Sequence, residues 1–219
     1  MAVGWRIKQR YLADERLPMP ARSYPIYMVV VWLGAVGGAF GVGTLNLSLS
    51  GMAGTGRSII GALAGGILVA EIYKLAMGVR GSTGIVFVVP LALAIAIGRI
   101  GCFFGGLADF TYGSETTLPW GVDFGDGIGR HPVQLYESLA MAMFLTVFLW
   151  LLHRHRSFCL RNGFYLFIAI YAAQRFAWEW LKPYGSVAGP LNLFHLICLL
   201  LIAYAAVMTW LARRIHAPA

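Results

Sequence analysis

The sequence contains little charge and few cysteines. Only 12% of its 219 residues are charged, about half the fraction usual in soluble globular domains, whereas 59% are hydrophobic. A soluble chain of this size could not cover its surface with so few polar groups, so secreted and nucleic-acid-binding domains are excluded. The three cysteines are odd in number and do not indicate a disulfide framework. The composition predicts an integral membrane protein.

Apolar stretches of spanning length make up most of the chain. A hydrocarbon core of ~30 Å requires ~20 such residues, and a spanning segment must satisfy its own backbone hydrogen bonds as a helix. We therefore expect an all-α fold, a polytopic membrane helix bundle with about six transmembrane helices. The predicted helices lie at approximately 25–46, 58–79, 84–104, 133–152, 163–181 and 190–211.

The basic residues predict the orientation of the bundle. With the N terminus inside, three Lys and Arg residues fall in outside connections (Arg57, Arg130, Lys182). Twelve then fall inside, namely Arg6, Lys8, Arg10, Arg16, Arg22, Lys74, Arg80, Arg154, Arg156, Arg161, Arg213 and Arg214. The positive-inside rule therefore predicts cytoplasmic N and C termini.

The same orientation defines the regions of the chain. Residues 1–24 are predicted to form a basic cytoplasmic N-terminal arm, 25–211 the transmembrane domain, and 212–219 a cytoplasmic tail. The long connection 105–132 is expected to be an extracytoplasmic cap loop, because loops of this length are usually lids or disordered.

Glycines cluster within two of the predicted helices. Small residues spaced three or four apart allow helix backbones to approach closely in lipid. We therefore predict a helix-packing role for Gly34, Gly37, Gly38, Gly41, Gly61, Gly65 and Gly66.

Some ionisable residues lie within the apolar stretches, where a charge is costly and usually functional. Glu71 and Lys74 are three residues apart on one helix face and are predicted to form a structural pair. Arg99 lies between Gly98 and Gly101, and these glycines permit a broken helix and close approach of a ligand. Its guanidinium suits a carboxylate or a phosphate.

The fifth stretch carries Arg175 and Glu179 four residues apart, with Lys182 beyond them. This spacing fits a structural ion pair as well as it fits a second anion-binding group.

The most polar segment, residues 131–137, reads HPVQLYE and begins where a predicted helix starts. Pro132 suits the first turn of that helix. Gln134, Glu137 and Met141 then follow along one helix face, with His131 at its entrance. This is more polarity than anchoring at a membrane interface needs, so we predict a functional site here.

These motifs resemble those of the phosphatidylglycerol:prolipoprotein diacylglyceryl transferases. Residues 131–137 match the HPxQLYE signature of that family, and Gly98 to Gly101 match the GRxG segment that precedes it. Tyr27 resembles the family's early tyrosine, and RFAWEW at residues 175–180 resembles its late RFxxEF segment. The resemblance runs from about residue 24 to residue 211.

The resemblance implies a membrane transferase that uses no metal and no cofactor. Such an enzyme moves the diacylglyceryl group of phosphatidylglycerol to a nucleophile, which in the family is the lipobox cysteine of a prolipoprotein signal peptide. Phosphatidylglycerol or another anionic phospholipid is the expected partner, and no nucleic acid is expected. The implied location is the bacterial cytoplasmic (inner) membrane, with the active site toward the extracytoplasmic side.

The resemblance also implies roles for individual residues. Arg99 and Arg175 are expected to meet the phosphate charge of the leaving group. His131 is the expected base, because histidine readily exchanges a proton near neutral pH, with Glu137 or Tyr136 to orient it. Substrate binding is expected of Tyr27, Gln134, Gly98, Gly101, Glu179 and Lys182.

Two departures from the family pattern leave the acceptor open. Cys102, Gly105 and Leu107 stand where the family has two asparagines and a glutamate, and residues 60–62 read Ile-Gly-Ala where it has His-Gly-Gly. One alternative is transfer to a non-protein acceptor, as a shorter paralogue could perform, and another is a non-catalytic lipid-binding or transport protein. Cys102 itself is predicted to be a small apolar filler, with a reactive thiol beside Arg99 as the alternative.

Overall fold

The computed structural model describes residues 19–215. Most of the predicted basic arm (residues 1–18) and the last four residues of the predicted tail lie outside this described part, so those two predictions concern regions that are not discussed further.

Six α-helices form the described part of the chain, which confirms the all-α prediction. Their bounds are α1 Tyr24–Leu49, α2 Ile59–Ala76, α3 Ile85–Gly105, α4 Val133–Arg154, α5 Arg156–Glu179 and α6 Leu193–Ile215. Short 3-10 turns occupy Ala21–Ser23 and Gly106–Asp109. Two short strands, β1 Val122–Asp123 and β2 Gly129–Arg130, pair antiparallel between α3 and α4.

Five of these helices, all except α5, are long and apolar enough to cross a membrane. Large apolar side chains also point away from the protein, as Leu75 (82% exposed) and Phe104 (81% exposed) do, which suits contact with lipid. The chain is therefore a multi-pass membrane protein. The exception, α5, begins seven residues before the predicted span at 163 and carries two arginines in that extension.

The described residues form two compact units. The first consists of residues 84–183 and 205–215 and contains α3, α4, α5 and the end of α6. The second consists of residues 19–83 and 184–204 and contains α1, α2 and the start of α6.

Aromatic side chains build the core of the first unit. The ring of Phe144 lies 5.5 Å from that of Phe148 and 5.7 Å from that of Phe167, so α4 and α5 pack through them. Gly163 of α5 permits this approach, since a Cβ atom there would lie 3.0 Å from the ring of Phe148. The Ser138 hydroxyl donates a 2.7 Å hydrogen bond to the carbonyl of Ala96 and so ties α4 to α3.

Glycine contacts join α1 to α2 in the second unit. A Cβ atom on Gly38 would lie 3.0 Å from the Cα of Gly65 and would overlap the carbonyl of Gly61, and Gly34 meets Gly65 in the same way. These four glycines pack helix against helix, as predicted. Gly37 and Gly41, in contrast, face open space, so the predicted packing role is wrong for these two glycines.

Polar pairs in the second unit are mostly structural. Lys74 Nζ lies 2.9 Å from both carboxylate oxygens of Glu71, which is the predicted pair, and the Tyr204 hydroxyl donates to the same carboxylate. At the start of α6, the Asn192 side chain accepts from the backbone N–H of His195, and His195 Nδ1 accepts from the backbone N–H of Asn192. This reciprocal arrangement satisfies two helix-terminal donors, as a capping box does.

Candidate active site

Three cations of the first unit converge on the carboxylate of Glu137. Arg99, from the last turns of α3, places its Nε 2.5 Å from Glu137 Oε2. Arg175, near the end of α5, and Lys182, just beyond it, approach Oε1 to 2.5 and 2.7 Å. Glu137 is completely buried, and each cation is at most 7% exposed. The structure therefore brings together four of the predicted site residues, which come from α3, from α4, from α5 and from the turn after α5.

A second carboxylate belongs to the same cluster. Glu179 Oε2 lies 2.9 Å from Nη2 of Arg175, so the predicted pair at four-residue spacing is present and Arg175 bridges two carboxylates. Three cations and two carboxylates leave this buried cluster with a net charge of +1. We call these five residues the cation cluster: Arg99, Glu137, Arg175, Glu179 and Lys182.

Lys182 is the titratable member of the cation cluster that lies outside the helices. Burial lowers its pKa to about 8, and the nearby Arg175 acts in the same direction, while Glu137 opposes them. The charge of the cluster therefore depends on pH above neutrality.

The helix face of α4 that carries the predicted polar residues is buried in the first turns of the helix. The helix begins directly after Pro132, and Gln134, Glu137 and Met141 are each fully buried. This alignment places the carboxamide of Gln134 one turn before Glu137 on the same side of the helix.

His131 is oriented by Tyr136. Its Nδ1 lies 3.3 Å from the Tyr136 hydroxyl, and the Tyr136 ring packs against the indole of Trp178 on α5, with 5.3 Å between ring centroids. Glu137, the other expected partner of His131, instead receives the three cations. His131 is partly exposed, in contrast to the buried Glu137 and its three cations.

The connection between α3 and α4 is an ordered structure that holds the backbone of His131. The His131 N–H donates to the carbonyl of Ser114, and the His131 carbonyl accepts from the N–H of Gly113, both at 3.0 Å. Ser114 N–H in turn donates to the carbonyl of Leu181 at the end of α5. Any side chain at position 113 would overlap His131, since a Cβ there would lie 2.7 Å from its Cβ. No motif in the sequence marks Gly113 or Ser114.

An acidic turn closes the hairpin of this connection. One carboxylate oxygen of Asp123 accepts from three successive backbone N–H groups, those of residues 125–127. Asp126 forms a 2.6 Å ion pair with Arg130, whose hydrogen bond lowers the pKa of Asp126. These residues order the loop and lie outside the cation cluster. No group of three or more His, Cys, Asp or Glu side chains within residues 19–215 is arranged to hold a metal ion.

Four residues that the sequence analysis singled out lie outside the cation cluster. Gly98 and Gly101 lie on the exposed side of an unbroken α3, and a Cβ at either would meet open space. Tyr27 belongs to the second unit, where its hydroxyl lies 2.7 Å from that of Thr83. Cys102 is a free, half-buried thiol.

The fold and this site define a class of protein: a multi-pass membrane protein with a buried, net-positive cluster and an oriented histidine that precedes the helix carrying Glu137. A family model described as prolipoprotein diacylglyceryl transferase matches residues 1–211, and the chain belongs to this family.

Curated relatives carry the name phosphatidylglycerol–prolipoprotein diacylglyceryl transferase. The protein from Clostridioides difficile is 34% identical over 149 residues, which cover 67% of this chain and 57% of the relative. The Geobacter sulfurreducens protein is 29% identical over 182 residues (80% and 60%), and the Cupriavidus metallidurans protein is 36% identical over 138 residues (58% and 49%). The chain thus spans about half to three fifths of the length of these relatives. No solved structure matches it.

Proposed function

We propose that this protein is a membrane transferase that moves the diacylglyceryl group of phosphatidylglycerol to a nucleophilic acceptor. The observation that carries the proposal is the convergence of Arg99, Arg175 and Lys182 at one buried, net-positive point. Such a point suits a phosphodiester, because arginine matches phosphate geometry and a buried cation is favoured by an anionic partner. The names of the relatives support the choice of lipid.

The proposed step forms one bond and breaks one bond. The acceptor thiolate attacks a glycerol carbon of the diacylglyceryl group, and a carbon–sulfur bond forms. The bond from that carbon to the phosphate oxygen breaks, and glycerol phosphate leaves with the electron pair. The cation cluster stabilises the charge that develops on the leaving phosphate.

His131 takes the acceptor's proton in this proposal. Its contact with Tyr136 fixes the ring, and its partial exposure makes it accessible to an acceptor arriving from outside the cluster. The ordered connection 105–132 acts as the cap that presents His131. With the N terminus inside, the site faces the extracytoplasmic side of the bacterial inner membrane.

The experiment incubates the purified protein with phosphatidylglycerol and a lipobox peptide, followed by mass spectrometry of both lipid and peptide. We expect a diacylglyceryl adduct on the peptide cysteine and release of glycerol phosphate. His131→Asn should lower turnover by about 100-fold or more, the usual contribution of a general base. The matched control is His153→Asn, an exposed histidine in the last turn of the same helix, which should retain activity.

Other outcomes would change the proposal in defined ways. A modified lipid or sugar with an unmodified peptide would retain the donor and replace the acceptor. Undiminished turnover by His131→Asn would remove the histidine from the mechanism. Binding of the lipid without any product would identify a lipid-binding protein instead of an enzyme.

A further inference from the structure

Gln134 is a buried polar side chain whose hydrogen-bonding capacity is unused within the described residues. It is 0% exposed, and neither Nε2 nor Oε1 has a hydrogen-bond partner there. Burying an amide without a partner is destabilising, because the amide loses its hydrogen bonds to water. An apolar side chain of similar size would fill the position without that loss, so packing alone does not explain a glutamine.

The location of Gln134 connects it with the cation cluster. It lies in the first turn of α4, three residues before Glu137 and therefore on the same helix face. On α5, the carboxamide of Gln174 and the indole N–H of Trp178 also lack partners inside the part of the chain that the structure describes. Trp178 packs against Tyr136, so a neutral polar group of α5 lies against the first turns of α4, the part of the helix that also carries Gln134 and Glu137.

The chemistry of a carboxamide selects its partner. A phosphate offers acceptors only and is matched by the cations of the cluster, whereas a carboxamide both donates and accepts. A hydroxyl group also donates and accepts, so it can satisfy both atoms of Gln134. The headgroup of phosphatidylglycerol joins these two chemistries in one molecule, a phosphate followed by a glycerol with free hydroxyls.

We propose that Gln134 binds a hydroxyl group of the lipid donor's headgroup and so selects a headgroup that carries hydroxyls over one of equal charge without them. The proposal rests on the proposed function, whose site and donor it makes more specific. It gives the two halves of the headgroup separate partners: the cation cluster for the phosphate and Gln134 for the glycerol.

The test compares two donors that differ only in headgroup hydroxyls, phosphatidylglycerol and phosphatidylpropanol with the same acyl chains. We expect the wild-type protein to prefer phosphatidylglycerol in kcat/KM, and Gln134→Met, which keeps the side-chain volume, to lose about tenfold of that preference. The loss should come from slower use of phosphatidylglycerol, with phosphatidylpropanol little changed. The matched control is Asn162→Leu, which removes a different buried amide, on α5, and should leave the ratio of the two kcat/KM values unchanged.

A merely structural role gives a different result. Gln134→Met would then slow both donors equally, and the unchanged ratio would overturn the proposal. If Gln134→Met does not fold, Gln134→Asn is used, since the shortened amide should also lower the ratio. A ratio that stays at the wild-type value in that variant would equally overturn the proposal.

Failure of the proposed function is distinguishable from failure of this inference. If the wild-type protein turns over neither lipid, the stabilisation of the protein against heat by each lipid replaces kcat/KM as the measurement. A greater stabilisation by phosphatidylglycerol that disappears in Gln134→Met would support the role of Gln134 without transferase activity. Equal stabilisation of the wild-type protein by the two lipids would overturn it.

Discussion

At the scale of single residues, Glu137 is the common partner of the charged site. A buried cation is costly unless a carboxylate pairs with it, and Glu137 forms ion pairs with three. Each partner comes from a different point along the sequence, so one carboxylate also links the end of α3, the start of α4 and the end of α5.

Replacing Glu137 by Gln should therefore destabilise the protein by roughly 3–5 kcal/mol, because the buried Arg99 and Lys182 lose their ion pairs with it, while Arg175 keeps its pair with Glu179. The measurement is thermal or denaturant-induced unfolding in detergent. Glu71→Gln is the matched control: this glutamate pairs with Lys74 but its side chain is 30% exposed, so about 1 kcal/mol or less is expected. Equal effects of the two variants would contradict the role assigned to Glu137.

The charge of Lys182 predicts a pH dependence of lipid binding. Because a lysine loses its positive charge above its pKa, and the pKa of Lys182 is about 8, the net charge of the cluster falls from +1 to 0 as the pH rises. Affinity for phosphatidylglycerol should decrease above pH 8, on the order of tenfold for the loss of one nearby charge.

Lys182→Arg tests this cause, since a guanidinium keeps its charge throughout the range. Titration of lipid binding between pH 7 and pH 10 should show the decrease in the wild-type protein and in the control Lys74→Arg, but only weakly in Lys182→Arg. A decrease of the same size in all three proteins would assign it to another group.

The members of the site were predictable from the sequence, but their partners were not. A charge in an apolar stretch is visible in a sequence, so Arg99, Glu137 and Arg175 could be selected. That Glu137 binds cations rather than orienting His131 depends on how α3 and α5 pack beside α4. Gly98 and Gly101 show the same limit. Their position next to Arg99 predicts close approach of a ligand, but the rotation of α3 turns both glycines outward.

At the scale of helices, apolar length predicted the number of elements because each spanning segment must form its own hydrogen bonds. The sequence predicts that α5 starts at 163, whereas the helix begins seven residues earlier, at 156. Hydropathy identifies the apolar part of a helix, and α5 begins before that part with residues 156–162, which include Arg156, Arg161 and Asn162. The hairpin that holds His131 had no such signal, since it depends on backbone contacts of Gly113 and Ser114.

The packing of α1 on α2 gives a prediction at this scale. Gly38→Val should destabilise the protein by about 1–3 kcal/mol, because the new side chain would overlap the carbonyl of Gly61 and force the helices apart. Unfolding in detergent again measures the change. Gly37→Val is the control on the same helix, since position 37 is exposed with open space around it. Similar losses in both variants would point to helix propensity instead of packing.

At the scale of the whole molecule, the cation cluster indicates whether α5 crosses the membrane. The ion pair of Arg99 with Glu137 joins the end of α3 to the start of α4, and that of Glu137 with Arg175 joins the start of α4 to the end of α5. Consecutive helices of this unit therefore run antiparallel. Only one residue separates the end of α4 from the start of α5, and the end of α5 lies beside the start of α4. Therefore α5 crosses the membrane if α4 does, although α5 is the less apolar helix.

If all six helices cross, the two termini lie on the same side, and the positive-inside rule predicts that this side is the cytoplasm. The turn after α2 is then predicted to be cytoplasmic, and the connection between α3 and α4 is predicted to be extracytoplasmic. Single cysteines can test this in a background in which Cys102, Cys159 and Cys198 are replaced by Ala. Suitable positions are Met77 after α2 and Thr117 in the connection, both of which are exposed.

A membrane-impermeant maleimide applied to intact spheroplasts should label Thr117→Cys strongly and Met77→Cys only after the membrane is permeabilised. Labelling of both variants in denatured protein controls for the reactivity of each cysteine. The reverse pattern would place the cation cluster toward the cytoplasm, since Arg99 and Glu137 flank the connection that contains Thr117. Such a result would be incompatible with an acceptor that is modified outside the cell, and it would require a cytoplasmic acceptor for the same buried cationic site.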